Sequence, residues 1–346
     1  MLRHQKSPIR GIHFYANIGR NSGDFFIGPA TKWEARNKLG VNIEWKSFNV
    51  RARLNRDTIQ WINQNYDVMV LGGGGLLLPD TNSNMISCWQ WSVSSNMISE
   101  INIPIYVIGL GYNLFYGQKV TMMKRNSDKE SQNREKIFRD NLQTLVNHSH
   151  YFSMRHKGDI ECLINIIGEE YRDNIKFEFC PVVNYVKSHY ANTVGGTGKC
   201  HTFEIKDDRP NRRYIGTSKE KFYNVLKDYI EFLLDKNEEI AIMSHDGSKS
   251  FYQFLLNHNI RVPILRNSCK NENRVIGNYR KVKKLYCMAG HSQMTAHALG
   301  INYFSLISHD KLEYFLKDVG MFNDEKYSYV NNPNLLNNLK RTWNAY

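Results

Sequence analysis

The chain lacks most of the devices that would name a function at once. Its six cysteines, Cys88, Cys162, Cys180, Cys200, Cys269 and Cys287, are scattered and include no CxxC pair. That spacing argues against a zinc ribbon and against a disulfide framework, so no metal site is expected. The thiols read as small buried apolar groups in a reducing, cytoplasmic setting. No stretch approaches the roughly 18 consecutive apolar residues of a membrane-spanning helix. The basic start MLRHQKSPIR runs straight into strand-like IRGIHFY, without the apolar core and cleavage site of a secretory leader. Acidic residues are also few: 33 Asp and Glu stand against 46 Lys and Arg, a formal charge of +13. Such a field suits nucleic acid, an anionic membrane face or anionic small substrates. The basic residues are spread along the chain with no nucleic-acid-binding motif beside them, which disfavours nucleic acid. Peripheral contact with an anionic membrane face stays open on charge alone.

The 346 residues, 41% apolar and 12% aromatic, can build packed cores, and the length admits two domains of roughly 100–200 residues. IRGIHFY, VNIEWKSF, YDVMVL, IPIYVIG and HYFSMR read as strands. Helical stretches are expected after Asp24 towards Leu39, over Asp57–Asn65, over Asn84–Ile101 and in GDIECLINIIG. The charged segment Gln118–Asn141 reads as a surface excursion, and Lys187–Lys199, with VGGTG inside it, as a polar linker. The alternation then restarts with HTFEIK, EEIAIMSH, RVPIL, LYCM and INYFSLIS. Helices are expected at Lys219–Asp235, from Ser248 to Asn257, from Ser292, and over Asp310–Val319. Strands alternating with helices predict βαβ units around parallel sheets. The expected organisation is an N-terminal domain over residues 1–185, a linker over 186–200, a second domain over 201–330 and a helical tail over 331–346. Ligands in open α/β sheets bind outside the carboxyl ends of the strands, and a cleft between two such domains is a favoured place.

That rule selects the turns after strands. In NIGRNSGDFF, Asn21, Gly23 and Asp24 lie where a tight turn meets a helix start, which can bind an anion or simply be capped. LGGGGLLLPD places four glycines after a strand, at a high cost in conformational entropy. It lacks both the Gly-Lys-Ser/Thr ending of a P-loop and the third glycine of GxGxxG. Gly73 and Gly74 are therefore expected in a turn where substrate approaches main chain. FSMRHKGD gathers Arg155, His156 and Lys157; an arginine fork holds carboxylate or phosphate, and a solvated turn is the alternative. In KDDRPNRRY, Arg209, Arg212 and Arg213 can meet an anion or pair with Asp207 and Asp208. Asp246 in SHDG reads as a helix cap. In YCMAGHSQMTAHALG, His291 follows a strand directly, where an imidazole can give or take a proton near neutral pH. His297 lies off the same helical face, so an HExxH-type metal pair is not supported and a structural role is expected.

NSGD, DVMVLGGGGL, IPIYVIGLG, YFSMRHKGD, KDDRPNRRY, MAGHSQM and LISHDKLEYFL, in this order and spacing, resemble the polysaccharide pyruvyl transferase family from about Asn17 to Gly320. The resemblance implies two Rossmann-like domains facing each other across a cleft, a glycosyltransferase-B-like arrangement. It also implies transfer of a pyruvyl group from phosphoenolpyruvate to two hydroxyls of a sugar or lipid-linked oligosaccharide, giving a cyclic ketal, in exopolysaccharide or glycoconjugate synthesis. No cofactor is implied; phosphoenolpyruvate is the co-substrate. His291 falls on the family's functional histidine, Arg155 on the arginine of its Ser-x-Arg turn, and Lys311 on the lysine of its Asp-Lys segment. Ala289 is a departure: the family usually has arginine in this Met-Arg-x-His turn. Arg209, Arg213 or Lys311 then substitutes for it, the donor differs, or activity is lost. The alternatives are a nucleotide-sugar glycosyltransferase of the same architecture and a catalytically impaired glycan-binding relative.

Overall fold

The computed structural model describes residues 8–16, 22–78, 84–112, 128–193, 198–244, 249–267 and 271–344. Among them β1 (Ile9–Tyr15), β2 (Ile43–Asn49), β3 (Val68–Leu77), β4 (Ile105–Tyr112), β5 (Tyr151–Met154) and β6 (Lys176–Phe177) form one sheet, ordered β2-β1-β3-β4-β5-β6. β7 (Cys200–Glu204), β8 (Glu239–Ser244), β9 (Ile264–Arg266), β10 (Val282–Cys287), β11 (Asn302–Ile307) and β12 (Tyr327–Tyr329) form the other, ordered β12-β11-β10-β7-β8-β9. Neighbouring strands run parallel throughout. The chain divides into two compact units, one holding the first sheet and one holding the second.

Parallel strands are covered on both faces, so they must be apolar along their length. β8 and β11 meet this condition, with every residue after the first buried. The helix Lys219–Asp235 packs on the second sheet through Phe222, Leu226, Tyr229, Ile230 and Leu233. Each such burial contributes about 1.5–3 kcal/mol. The Ser218 hydroxyl accepts from the Lys221 N–H at 3.0 Å and starts that helix, a cap that contributes about 1 kcal/mol. Counted within its own unit, the second sheet has the order 3-2-1-4-5-6, which reverses between β7 and β10. The crevice at the carboxyl ends of those two strands is where such sheets take ligands.

Several expectations are corrected. Asn84–Ile101 is helical only over Ser95–Ser99. The Asn84 carboxamide oxygen accepts from the N–H groups of Ile86 and Ser87 at 3.0 and 2.9 Å, so side chain replaces helix ladder. Residues 128–148 of the expected surface excursion and beyond form the helix Asp128–His148, which buries Arg134, Phe138 and Asn141. The expected linker opens as the helix Pro181–Tyr190, while residues 194–197 lie outside the described residues. The helix Glu272–Tyr279 and β12 add to the expected elements. Among the described residues, no helix is long and apolar enough to cross a membrane.

The glycine run is part of β3 rather than a turn. Gly73 and Gly74 have φ of +78° and +92°, and added Cβ atoms there would collide with Ile27 of the helix Ser22–Leu39, at Gly73 also with Thr31. The room opened by the missing side chains is taken by helix packing. Gly40 also has positive φ, +63°, but a Cβ there meets nothing within 4 Å. Gly40→Ala should therefore cost only the left-handed backbone, about 1–2 kcal/mol. Gly73→Ala should add an overpacking cost of about 1–3 kcal/mol. Urea midpoints of the two variants check this, and equal losses would refute it.

Candidate functional site

β7 and β10 part at the reversal point, and a buried carboxylate bridges them. Glu204, the last residue of β7 and fully buried, accepts the Met288 N–H through its carbonyl at 3.0 Å. Its carboxylate accepts the Ala289 N–H at 2.9 Å. Ala289 is the N-cap of the helix Gly290–Ala298 and has no side-chain oxygen of its own. Glu204 takes the cap residue's N–H from across the sheet, as the glutamate of a capping box does from within a helix. Its negative charge also suits the positive end of the helix dipole.

His291 is the second residue of this helix and is half-buried. Beside it, a Cβ on Gly290 would lie 2.9 Å from Lys311 Cε and 3.0 Å from Cδ. The lysine stem therefore rests on the bare Gly290 backbone, next to the histidine. Lys311 is the second residue of the helix Asp310–Asp318, whose start is capped by His309 Nδ1 accepting from the Lys311 N–H at 3.5 Å. Gln293 Nε2 donates to the Leu312 carbonyl at 3.2 Å and ties the two helices together.

A second group of charges follows β7. Arg213 is buried; its Nη2 donates to the Asp208 carboxylate at 2.8 Å and its Nη1 to Ser308 Oγ at 3.2 Å. This arginine joins the segment after β7 to the segment after β11. Burial pushes the Asp208 pKa up, but Arg213, Lys206 and Lys311 outweigh it and hold the carboxyl below its ordinary value. Lys311 thus lies within electrostatic reach of the Asp208–Arg213 pair, and buried Lys206 joins the same edge. Arg209 is exposed, with left-handed φ of +55°, ahead of the short helix Pro210–Arg213. Asp207 accepts from the Tyr223 hydroxyl and lies 3.6 Å from Lys219 Nζ.

The structure therefore brings His291, Lys311 and Arg213 to one edge of the second sheet. Arg213 reaches it by the pairing alternative, locked to Asp208. In the first unit, Gly23 and Asp24 fall in the first turn of the helix Ser22–Leu39. Asn21 and Asp246 lie outside the described residues. Of the basic cluster after β5, Arg155 and His156 are buried, which excludes the solvated-turn alternative for these two, and Lys157 alone of the three is exposed. The Arg155 guanidinium covers Gly111, where a Cβ would collide with it, and its Nε lies 3.7 Å from Asp159. His297 sits edge-on to Phe315 with ring centroids 5.3 Å apart, and burial lowers its pKa.

Two groups escaped the sequence reading. Glu204 was hidden inside an apolar strand, and nothing in its spacing marks it. Asp310 is the aspartate of the Asp-Lys segment, in which the resemblance gives a role only to Lys311. Burial, with Glu313 adding to it and Lys317 opposing, raises its pKa to about 7.

No family model matches the chain, and no curated protein matches it. Solved structures do. A Neisseria meningitidis UDP-GlcNAc 2-epimerase bound to UDP-GlcNAc aligns over 97% of this chain and 90% of its own, with TM-score 0.51 and 8% identity. The S. aureus MnaA–UDP complex aligns over 97% and 87%, with TM-score 0.51 and 10% identity. A Listeria monocytogenes protein provisionally assigned as a UDP-N-acetylglucosamine 2-epimerase aligns over 98% and 87%, with TM-score 0.52 and 11% identity. At these identities the likeness is one of fold: the chain has a glycosyltransferase-B-like α/β architecture of two Rossmann-like sheets.

Asp310 supplies a pH prediction. Its folded pKa is raised, so the unfolded chain gives up this proton first, and the residue's contribution to stability falls as pH rises from about 4 to about 7. Asp310→Asn should be more stable than the parent at pH 8 and lose that advantage at pH 4. Urea midpoints at the two values check the sign.

Proposed function

We propose that the chain is a sugar-modifying transferase that uses a nucleotide sugar and binds its diphosphate at the carboxyl edge of the second sheet. The observation that carries this reading is the gathering of His291, Lys311, Lys206 and Arg213 beside the β7–β10 reversal. Ligands of open α/β sheets occupy that crevice, and the start of the helix Gly290–Ala298 turns N–H groups towards it. The UDP and UDP-GlcNAc in the two ligand-bound neighbours supply the donor class. Fixed cations stabilise charge on a departing phosphate. In this scheme the acceptor hydroxyl attacks the sugar's anomeric carbon and gives its proton to His291. The nucleoside diphosphate leaves towards Lys311, while Arg213 and Glu204 act as positioning residues. The acceptor is a sugar or lipid-linked oligosaccharide.

A second reading, pyruvyl transfer from phosphoenolpyruvate, is favoured by one contact. Gly290 and Lys311, from the two stretches that carry the resemblance most specifically, touch each other. There His291 would protonate the methylene carbon, a first sugar hydroxyl would add to the adjacent carbon and return its proton to His291, and phosphate would leave with the proton of the second hydroxyl as that hydroxyl adds. Ala289 is buried, so an arginine at that position would need another course for its side chain.

Thermal denaturation with UDP, UDP-GlcNAc or phosphoenolpyruvate separates the readings. At a hundredfold excess over Kd, the true donor class should stabilise by about 2.7 kcal/mol, and Lys311→Ala should lose most of that gain. Stabilisation by phosphoenolpyruvate alone would replace the first reading with the second, and by neither would remove both. His291→Ala should keep the melting temperature and lower turnover by about 10²–10⁴-fold, measured as donor consumption with candidate glycans. Binding without any turnover in the parent would point to the impaired, glycan-binding alternative.

A further inference from the structure

The amino edge of the second sheet, a strand's length from His291, holds charged groups that the proposed chemistry does not use. A cavity of about 370 Å³ opens there. It is lined by His201 at the start of β7, Lys283 and Lys284 in β10, Asn302 at the start of β11, Glu238 before β8, and Trp343 of the helix Leu335–Asn344. We propose that this cavity is a second ligand site, taking a small organic anion about the size of a sugar phosphate, with its charge at Lys284 and its ring on Trp343.

The volume lies in the range of small-molecule sites, about 300–1,000 Å³. The lining carries two ammonium groups against the single carboxylate of Glu238. That carboxylate is already engaged: Lys283 Nζ donates to its two oxygens at 2.8 and 2.7 Å, and Trp343 Nε1 donates at 3.2 Å. These bonds also hold the indole in place as a wall. Lys284 is only 3% exposed, donates to the Thr342 carbonyl at 2.9 Å, and lies 5.6 Å from the Tyr286 ring centre.

Burying an ammonium is costly without charge-matched company. Burial, with Lys326 adding to it, lowers the Lys284 pKa to about 8. An anion in the cavity therefore gains by stabilising the charged form, a return that a surface lysine does not provide. His201 adds a polar contact. It is 2% exposed and its Nδ1 meets the Tyr286 hydroxyl at 3.1 Å. Burial lowers its pKa to about 4, so it stands as a neutral imidazole beside Glu238 at 3.4 Å. Asn302 also lines the cavity, its carboxamide oxygen accepting from Lys326 Nζ at 3.2 Å. Charge, amide and indole together fit a ring that bears one phosphate or carboxylate.

The test uses the full chain and glucose 6-phosphate as probe, with glucose and inorganic phosphate as controls, followed by calorimetry and tryptophan fluorescence. Saturable binding of the sugar phosphate and none of glucose is expected. Lys284→Met should weaken it at least tenfold, Trp343→Phe should remove the fluorescence change, and Lys311→Ala should leave binding unchanged. In the parent protein at pH 8, the probe should slow acylation of Lys284 by an amine-reactive reagent, read by peptide mass spectrometry. That readout holds even if the Met variant folds poorly. No saturable binding, or unprotected Lys284, would overturn the proposal. Loss of binding in Lys311→Ala instead would assign the phosphate to the carboxyl edge and overturn it equally.

Discussion

The hydrogen bond from the Ala289 N–H to the Glu204 carboxylate is the contact on which the second unit's candidate site depends. A carboxylate with no exposure is expensive to bury unless donors meet it. Here the donor is a backbone N–H at a helix start, where the dipole adds to the attraction. The same residue uses its carbonyl to hold Met288. Two strands that diverge in connectivity are thereby tied at their carboxyl ends, and the helix carrying His291 leaves from a fixed point. The bare Gly290 lets the Lys311 stem lie close against it.

Identical residue types serve opposite ends in the two units. Arginine after β5 and arginine after β7 look alike as basic turns. In the structure, Arg155 covers Gly111 beside Asp159, whereas Arg213 spans from Asp208 to Ser308 and joins two segments at the sheet edge. Glycines differ in the same way. Gly73 and Gly74 make room for a helix, while Gly290 makes room for a lysine. Residue type sets what a group is able to do; burial and neighbours set which of these it does.

Charge is likewise divided between the two edges of the second sheet. At the carboxyl edge, Lys206, Arg213 and Lys311 together hold Asp208 ionised. At the amino edge, Lys283 and Trp343 engage Glu238, and burial weakens the basicity of Lys284 and His201. The excess of basic residues seen in the composition is thus partly internal, shaping two polar sites as well as the outer field.

The alternation of strand and helix, the parallel sheets and the position of His291 just beyond a strand were legible in the amino-acid order, because period and turn chemistry are local properties. Local pattern misjudged Asn84–Ile101, where a single carboxamide captures the N–H groups a helix needs. It also misjudged the glycine run, whose purpose lies forty-odd residues earlier at Ile27 and Thr31. Glu204 could not be found at all, since an acidic residue inside an apolar strand acquires meaning only from the N–H it meets 85 positions later. Sequence by itself determined the fold class and where turns could carry chemistry. Tertiary structure alone decided which charged groups meet, because pairing and burial depend on residues that the chain brings together only when both sheets have formed.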